Sequence, residues 1–372
     1  MNIAIDLRGL SMAYENRGIG YHLKTLAAAL PGLAPEMKFK FIFRDKERAQ
    51  LYTPSESNVE SFVMAPLTKR TWMEDQFRIP LFVIRNRINV WHCPVALGPL
   101  HGINIPVFPF CAVVATIHDL HVEKLPDPQM SAYRNERRYK LQRLFIKKSY
   151  MVAVSEATRK SIEGSGLSSK KGIHVIPNCL RPGEYNEPPL TDKEKLILFI
   201  GDAAHKNVNG AITVFRSLAA RHPDWRFVMV GAQSRIAAMV TGGPQSLAAM
   251  NTLQITENIS EEEMQRLYKK ASILFMPSLS EGFGIPVIQA FANSVVPVIS
   301  ARSALPEAGG SSAIYVNPMS VQDMADGLDA LMSDPAKLAL LSKKGYERAK
   351  QYTPEYQLPK LIALYRKAAR RV

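Results

Sequence analysis

The sequence predicts an α/β protein built from two doubly wound, parallel-sheet domains. Three observations carry this expectation. Short apolar runs alternate with segments of helical period along the chain, which is the pattern of a parallel sheet with helices on both faces. The alternation occurs twice, separated by a turn-rich break from Pro177 through Pro188-Pro189. The 372 residues also exceed the roughly 250 to 300 at which a single core stops growing.

In the first half the predicted strands are Ile3 to Asp6, Phe39 to Phe43, Ser61 to Ala65, Val90 to Cys93, Val113 to Ile117, Met151 to Val154 and His174 to Ile176. In the second they are Leu196 to Ile200, Arg226 to Val230, Leu253 to Thr256, Ser272 to Met276 and Val298 to Ser300. Ser260 and Glu263 form a capping box for a helix over 261–270, so Glu261, Glu262 and Glu263 are read as structural. Pro354 interrupts the helical run after Thr353, and Tyr356 to Arg371 forms a further helix. The expected division is therefore 1–182, 183–354 and a terminal helix over 355–372, the first two Rossmann-like.

Composition narrows the function classes. An apolar fraction of 47% and mean hydropathy of -0.08 describe a globular protein. No apolar run reaches the ~18 residues of a membrane span, and Met1 to Asp6 reads as a buried strand rather than a signal peptide. The expected location is the cytoplasm, with peripheral attachment to the inner membrane left open. Cys93, Cys111 and Cys179 are too widely spaced for a disulfide framework or a CxxC metal site and are expected to be core thiols. The net charge is +14, and residues 1–190 hold 26 Lys/Arg against 17 Asp/Glu, a net of +9. Part of this excess lies in Arg134, Arg137, Arg138, Lys140, Arg143, Lys147 and Lys148. Apolar residues interleave them at helical spacing, a pattern shared by a helix lying on an anionic membrane and by an ordinary solvated helix. No nucleic-acid module accompanies the charge, and no nucleic-acid partner is expected.

The densest chemical signal runs from Ser272 to Pro306. A short apolar strand ends in Pro-Ser and gives way to Glu281-Gly282-Phe283-Gly284-Ile285-Pro286, followed by a helix. Strand, glycine turn and a helix opening on proline make an anion site, because the first N–H groups of a helix lack partners and the macrodipole adds positive potential. A phosphate fits there. Glu281 beside it suits a neighbour rich in hydroxyl groups, and phosphate with hydroxyls suggests a nucleotide sugar.

From Leu267 through Glu307 this stretch resembles the retaining glycosyltransferases of family 4, and with Gly18-Ile19-Gly20 and the setting of His118 it is similar to bacterial mannosyltransferases of surface polysaccharide and lipopolysaccharide assembly. The resemblance implies the GT-B fold, two domains facing across a cleft with the terminal helix returned to the first, and closure about 177–190 when donor binds. It also implies roles. Glu281 addresses the donor sugar, and the position eight residues later, Gln289 here and a glutamate in the family, holds the ribose diol. Phe283, Gly284 and Ile285 offer backbone N–H groups, while Gly231 borders the base. Gly18 and Gly20 lie on a loop before a helix starting near Tyr21 and approach the diphosphate, and His118 contacts the sugar. Lys206, just beyond Gly201, matches the second of a basic pair on the donor phosphates. The first of that pair, an arginine, is missing, with Asp202 and Ala203 in its neighbourhood.

No Asp-x-Asp pair, GxxxxGK[ST] loop or Gx[ST]xG elbow occurs. The expectation is a metal-independent, retaining hexosyltransferase with no cofactor, the nucleoside diphosphate sugar being its substrate. Mannose from GDP-mannose is the first candidate, and a glycan or lipid-linked molecule the acceptor. His118, Lys206 and Glu281 are the expected catalytic groups. A UDP-hexose transferase, a nucleotide-sugar epimerase or hydrolase, and an inactive basic scaffold remain as alternatives.

Overall fold

The computed structural model describes residues 1–11, 15, 17–67, 71–97, 105–120, 137–185, 192–240 and 251–370. The chain divides into two compact units, Met1–Pro182 with Thr353–Val372, and Gly183–Tyr352.

In chain order the first unit comprises β1 (Asn2–Asp6), α1 (Gly18–Leu33), β2 (Lys38–Phe43), α2 (Lys46–Tyr52), β3 (Val59–Val63), α3 (Thr71–Arg85), β4 (Val90–Cys93), β5 (Ala112–Ile117), α4 (Arg137–Ile146), β6 (Tyr150–Ala153), α5 (Glu156–Gly164) and β7 (Ile173–Val175). Its strands pair in parallel in the order β3-β2-β1-β4-β5-β6-β7. The central strands are apolar on both faces because both faces are covered. On one side Ile3, Ile5, Phe39, Phe41, Val90 and Val114 pack with Leu23, Leu26 and Leu30 of α1. On the other, Ala4, Ile42 and Trp91 meet Ile79 and Val83 of α3, and Val113, Ala115 and Met151 meet Ile146 and Ile162. Each of the larger aliphatic and aromatic side chains contributes about 1.5–3 kcal/mol on burial.

The second unit runs β8 (Leu196–Ile200), α6 (Val208–Ala219), β9 (Arg226–Val230), α7 (Gln233–Met239), β10 (Leu253–Thr256), α8 (Glu261–Lys270), β11 (Ile273–Met276), α9 (Ile285–Ala292), β12 (Val296–Ser300), α10 (Leu305–Gly309), β13 (Ile314–Val316), α11 (Val321–Met332) and α12 (Pro335–Ala349). Its parallel order is β10-β9-β8-β11-β12-β13. Helix α13 (Pro354–Ala369) then rejoins the first unit. Ser260 and Glu263 exchange both bonds of a capping box at the start of α8.

The structure corrects three sequence expectations. Helix α1 starts at Gly18, so Gly18 and Gly20 form its first turn rather than a loop before Tyr21; Arg17 is the extended N-cap, and its carbonyl accepts from the Tyr21 N–H at 2.9 Å. Strand β3 occupies Val59–Val63 rather than 61–65, because its register is set by pairing Phe39 with Val59 across the edge. Strand β13 was not anticipated. Its three residues are too few to show a period, and it exists because Val298, Ile299 and Ser300 of β12 supply a partner.

Helix α13 is anchored by Leu358, Leu361 and Tyr365 in the core beneath β1 and β2. The Tyr365 hydroxyl lies 2.6 Å from His92 Nδ1, and His92 Nε2 lies 2.9 Å from Thr116 Oγ1, all three side chains being buried. Burial, then the neighbouring His118, pushes the His92 pKa down to about 3. The ring is therefore neutral, and the network is satisfied when the tyrosine donates to Nδ1 and Nε2–H donates to the threonine. Tyr365→Phe leaves Nδ1 buried without a donor. Urea unfolding is expected to show a loss of about 1–3 kcal/mol; a variant as stable as the parent contradicts the assignment.

Candidate functional site

In an open parallel sheet, ligands bind beyond the carboxyl ends of the strands where the strand order reverses. In the second unit that point lies between β8 and β11, which are neighbours in the sheet although two strands and three helices of sequence separate them. The loops leaving these two strands carry Lys206 and Glu281. Lys206 Nζ donates to Glu281 Oε1 at 2.8 Å, and the side chains are only 17% and 11% exposed. The Leu279 N–H, donating to His205 O at 2.7 Å, fastens one loop to the other. Burial opposes ionisation of Glu281, but the charges of Lys206 and His205 and the hydrogen bond from Lys206 outweigh it and hold the carboxyl below its usual range.

One glycine makes this pairing sterically available, and a second makes room for Asp202 beside it. Gly201 has φ +120°, and a Cβ there would lie 2.9 Å from Lys206 Cγ, so the lysine stem crosses the space a side chain would fill. Gly231 closes the end of β9 with a Cβ position 2.9 Å from Asp202 Cβ. Asp202 Oδ2 accepts from the Ala232 N–H at 3.0 Å, and Arg235 Nη1 approaches Oδ1 at 3.5 Å. The loop that lacks the family's arginine in sequence thus has an arginine beside it from α7. Its sequence distance of 33 residues gave no signal.

Beyond Glu281 the chain turns through Gly284, at φ +111° and ψ 52°, into α9. A Cβ at Gly284 would meet Leu305 Cδ2 at 2.9 Å. Helix α9 has no side-chain cap, and Pro286 in its first turn brings no N–H, so Ile285 sits at an open helix start suited to an anion. The Phe283 ring is buried edge-on against Tyr352 at 5.7 Å, which leaves that residue only its backbone to offer. Gln289 is buried one turn along α9. Tyr268 donates to its Oε1 at 3.3 Å, and its Nε2 donates to Glu184 Oε1 at 3.4 Å. Glu184 also accepts from Gln265 at 3.0 Å, so a carboxylate distant in sequence stands next to the amide that replaces the family's glutamate.

In the first unit His118 follows β5. Its Nε2–H donates to the Pro94 carbonyl at 2.9 Å, its own carbonyl accepts from Thr158 Oγ1 at 3.2 Å, and its ring meets His22 edge-on at 4.8 Å. Burial lowers the His118 pKa more than Pro94 and Asp119 raise it, and His22 is lowered well below its ordinary value by burial, then by His118 and His92. These imidazoles are neutral at pH 7. Just past β1 the largely withdrawn Arg8 guanidinium, 14% exposed, binds Asp6 at 2.8 Å and Asp75 at 2.7 Å, a grouping the sequence reading missed because Asp75 is supplied by a helix 67 residues away.

Of the basic stripe expected on 134–148, Arg134 lies outside the described residues, as do the side chains of Arg137 and Arg138. Lys140, Lys147 and Lys148 are exposed, while Arg143 donates to the Ser165 carbonyl at 2.7 Å. Among the described residues, no helix is long and apolar enough to cross a membrane. The three cysteines are free and buried, and burial pushes the Cys111 thiol up to about 12.

Residues 183–348 match the family model described as "Glycosyl transferases group 1". The chain is 25% identical over 204 residues to the O-antigen chain mannosyltransferase RfbU of Salmonella typhimurium, covering 55% of this chain and 56% of that one. It is 31% identical over 130 residues to the MMP alpha-(1->4)-mannosyltransferase of Mycolicibacterium hassiacum, covering 34% and 32%. The chain thus spans between about a third and just over half of the length of these curated relatives. Among solved structures, a glycosyltransferase from Rickettsia africae superposes with a TM-score of 0.75 at 16% identity, over 100% of this chain and 99% of that one. The second unit belongs to the group 1 glycosyltransferases, and the chain has the GT-B fold.

The partial burial of Lys206 and Glu281 makes their pairing measurable. In a cycle of Lys206→Met, Glu281→Gln and the double variant, followed by chemical unfolding, the coupling is expected at about 1–2 kcal/mol, each single change leaving an unpaired charge. Strictly additive losses contradict the pairing.

Proposed function

We propose that this protein is a retaining glycosyltransferase that transfers a hexose from a nucleoside diphosphate sugar to a glycan or lipid-linked acceptor. GDP-mannose is the first donor to test. The observation that supports the reading is the meeting of Lys206 and Glu281 at the strand-order reversal, beside the uncapped start of α9. The mannosyltransferases among the relatives favour the sugar.

In this reading the departing diphosphate is held by Lys206 and the N–H groups at the start of α9. Negative charge grows on the leaving oxygen as the glycosidic bond breaks, so these groups act most strongly in the transition state. Glu281, ionised at neutral pH, addresses a hydroxyl of the sugar and bears on the positive charge developing on its ring. The acceptor hydroxyl attacks from the face the diphosphate leaves, and a phosphate oxygen takes its proton, so no protein base is required. Gln289 holds the ribose hydroxyls through its amide. Charge on the diphosphate is met by lysine and helix dipole, and the reading is metal-independent.

Incubation with GDP, UDP, ADP and dTDP sugars, with and without glycan acceptors, tests it. Acceptor-dependent release of one nucleoside diphosphate with retained anomeric configuration is expected. Lys206→Ala is expected to lower kcat by about 10²–10³. Donor conversion without acceptor indicates an epimerase or hydrolase, and no turnover of any donor points to a scaffold.

A further inference from the structure

Helix α3 buries one stripe and displays another that the core does not explain. Ile79 and Val83 lie in the core beside Trp91, and Phe82 packs edge-on to Phe62 at 5.0 Å. The opposite stripe is Phe77, Leu81 and Ile84, at spacings of four and three on one helical face, exposed by 76%, 48% and 57%. A surface helix ordinarily carries polar side chains there. Two neighbouring segments add to the stripe. Leu67, 75% exposed, is tied to the start of α3 by its N–H donating to Glu74 Oε2 at 2.9 Å. Phe108, 69% exposed, follows Val107, whose N–H donates to Gln76 Oε1 at 2.8 Å.

The acidic side chains around this patch are matched by basic ones, Glu60 of β3 pairing with Lys40 at 2.6 Å. Glu74 and Asp75 are the only acidic residues in 63–110, and both are matched: Glu74 pairs with Arg78 at 3.2 Å, and Asp75 with Arg8 at 2.7 Å. Arg85 and Arg87, at the end of the helix, are exposed. Aromatic and aliphatic side chains standing beside uncompensated arginines, with neighbouring carboxylates neutralised, are suited to the head-group region of an anionic bilayer. Helix α4 lacks this combination. Among its described side chains Leu144 is the large apolar one that is exposed, so Lys140 and the Lys147 and Lys148 that follow the helix offer charge with little anchor.

We propose that the face formed by Leu67, Phe77, Leu81, Ile84 and Phe108, flanked by Arg85 and Arg87, seats the first unit on an anionic lipid surface. The inference stands on this patch and does not require the donor chemistry above.

Co-sedimentation with vesicles of phosphatidylglycerol and phosphatidylcholine, against phosphatidylcholine alone, tests it. The protein is expected to bind the anionic vesicles preferentially. Phe77→Ser with Leu81→Ser is expected to lower partitioning about ten-fold or more. Arg85→Glu with Arg87→Glu should lower it about ten-fold at low salt, with a smaller effect at high salt. The exposed Leu51→Ser on α2 serves as the control and should leave binding unchanged, and all five sites are accessible enough for the variants to keep the parent's thermal midpoint. The proposal is overturned by an absence of vesicle binding, by binding that survives both α3 variants but is lost on Lys140→Glu with Lys147→Glu and Lys148→Glu, or by light scattering that shows a dimer abolished by Phe77→Ser.

Discussion

The geometry of the second unit turns on one ion pair, Lys206 with Glu281, because so many separate features are needed to bring it about. The pair requires β8 and β11 to be neighbours, which is a property of the strand order. It also requires a residue without a side chain at 201, since the lysine stem occupies the place of its Cβ. Both side chains are mostly withdrawn from water, so the attraction between them is stronger than that of a surface pair and breaking it costs more. A lysine held this way has little rotamer freedom left to lose when an anion arrives, and the uncapped start of α9 adds positive potential from a rigid element rather than a loop.

The first unit solves a different electrostatic problem. It places three imidazoles near one another at the ends and flanks of β4 and β5, and it keeps them neutral by burial rather than by pairing each with a carboxylate. Its acidic side chains are used elsewhere, with Asp6 and Asp75 gripping Arg8. Neutral imidazoles can meet hydroxyl groups without paying for buried charge, and His92 couples this region to the terminal helix through Tyr365.

The sequence was most informative where chemistry and backbone geometry coincide locally. Glu281, Gly284 and Pro286 could be read as a glycine turn into a helix opening on proline because all three lie within six residues, and the capping box at Ser260 and Glu263 was legible for the same reason. The two-fold repeat of apolar runs revealed the parallel sheets. Long-range pairings were not legible. Nothing along the chain connects Glu184 to Gln289, Arg235 to Asp202 or Asp75 to Arg8, since each meeting is set by how helices pack on the sheets. The start of α1 was misplaced because glycines favour loops, whereas here the extended Arg17 and the bond to Tyr21 make Gly18 and Gly20 a first helical turn.

If Lys206 is the phosphate-binding group and Glu281 the sugar-binding one, the carboxylate competes with phosphate for the lysine until the sugar engages it. Calorimetric titration of GDP and GDP-mannose into the parent and into Glu281→Gln measures this directly. Loss of the carboxylate charge is expected to tighten GDP by about three- to ten-fold while weakening GDP-mannose relative to GDP. Unchanged affinity for both ligands, or equal weakening of both, would contradict the division of roles between the two residues.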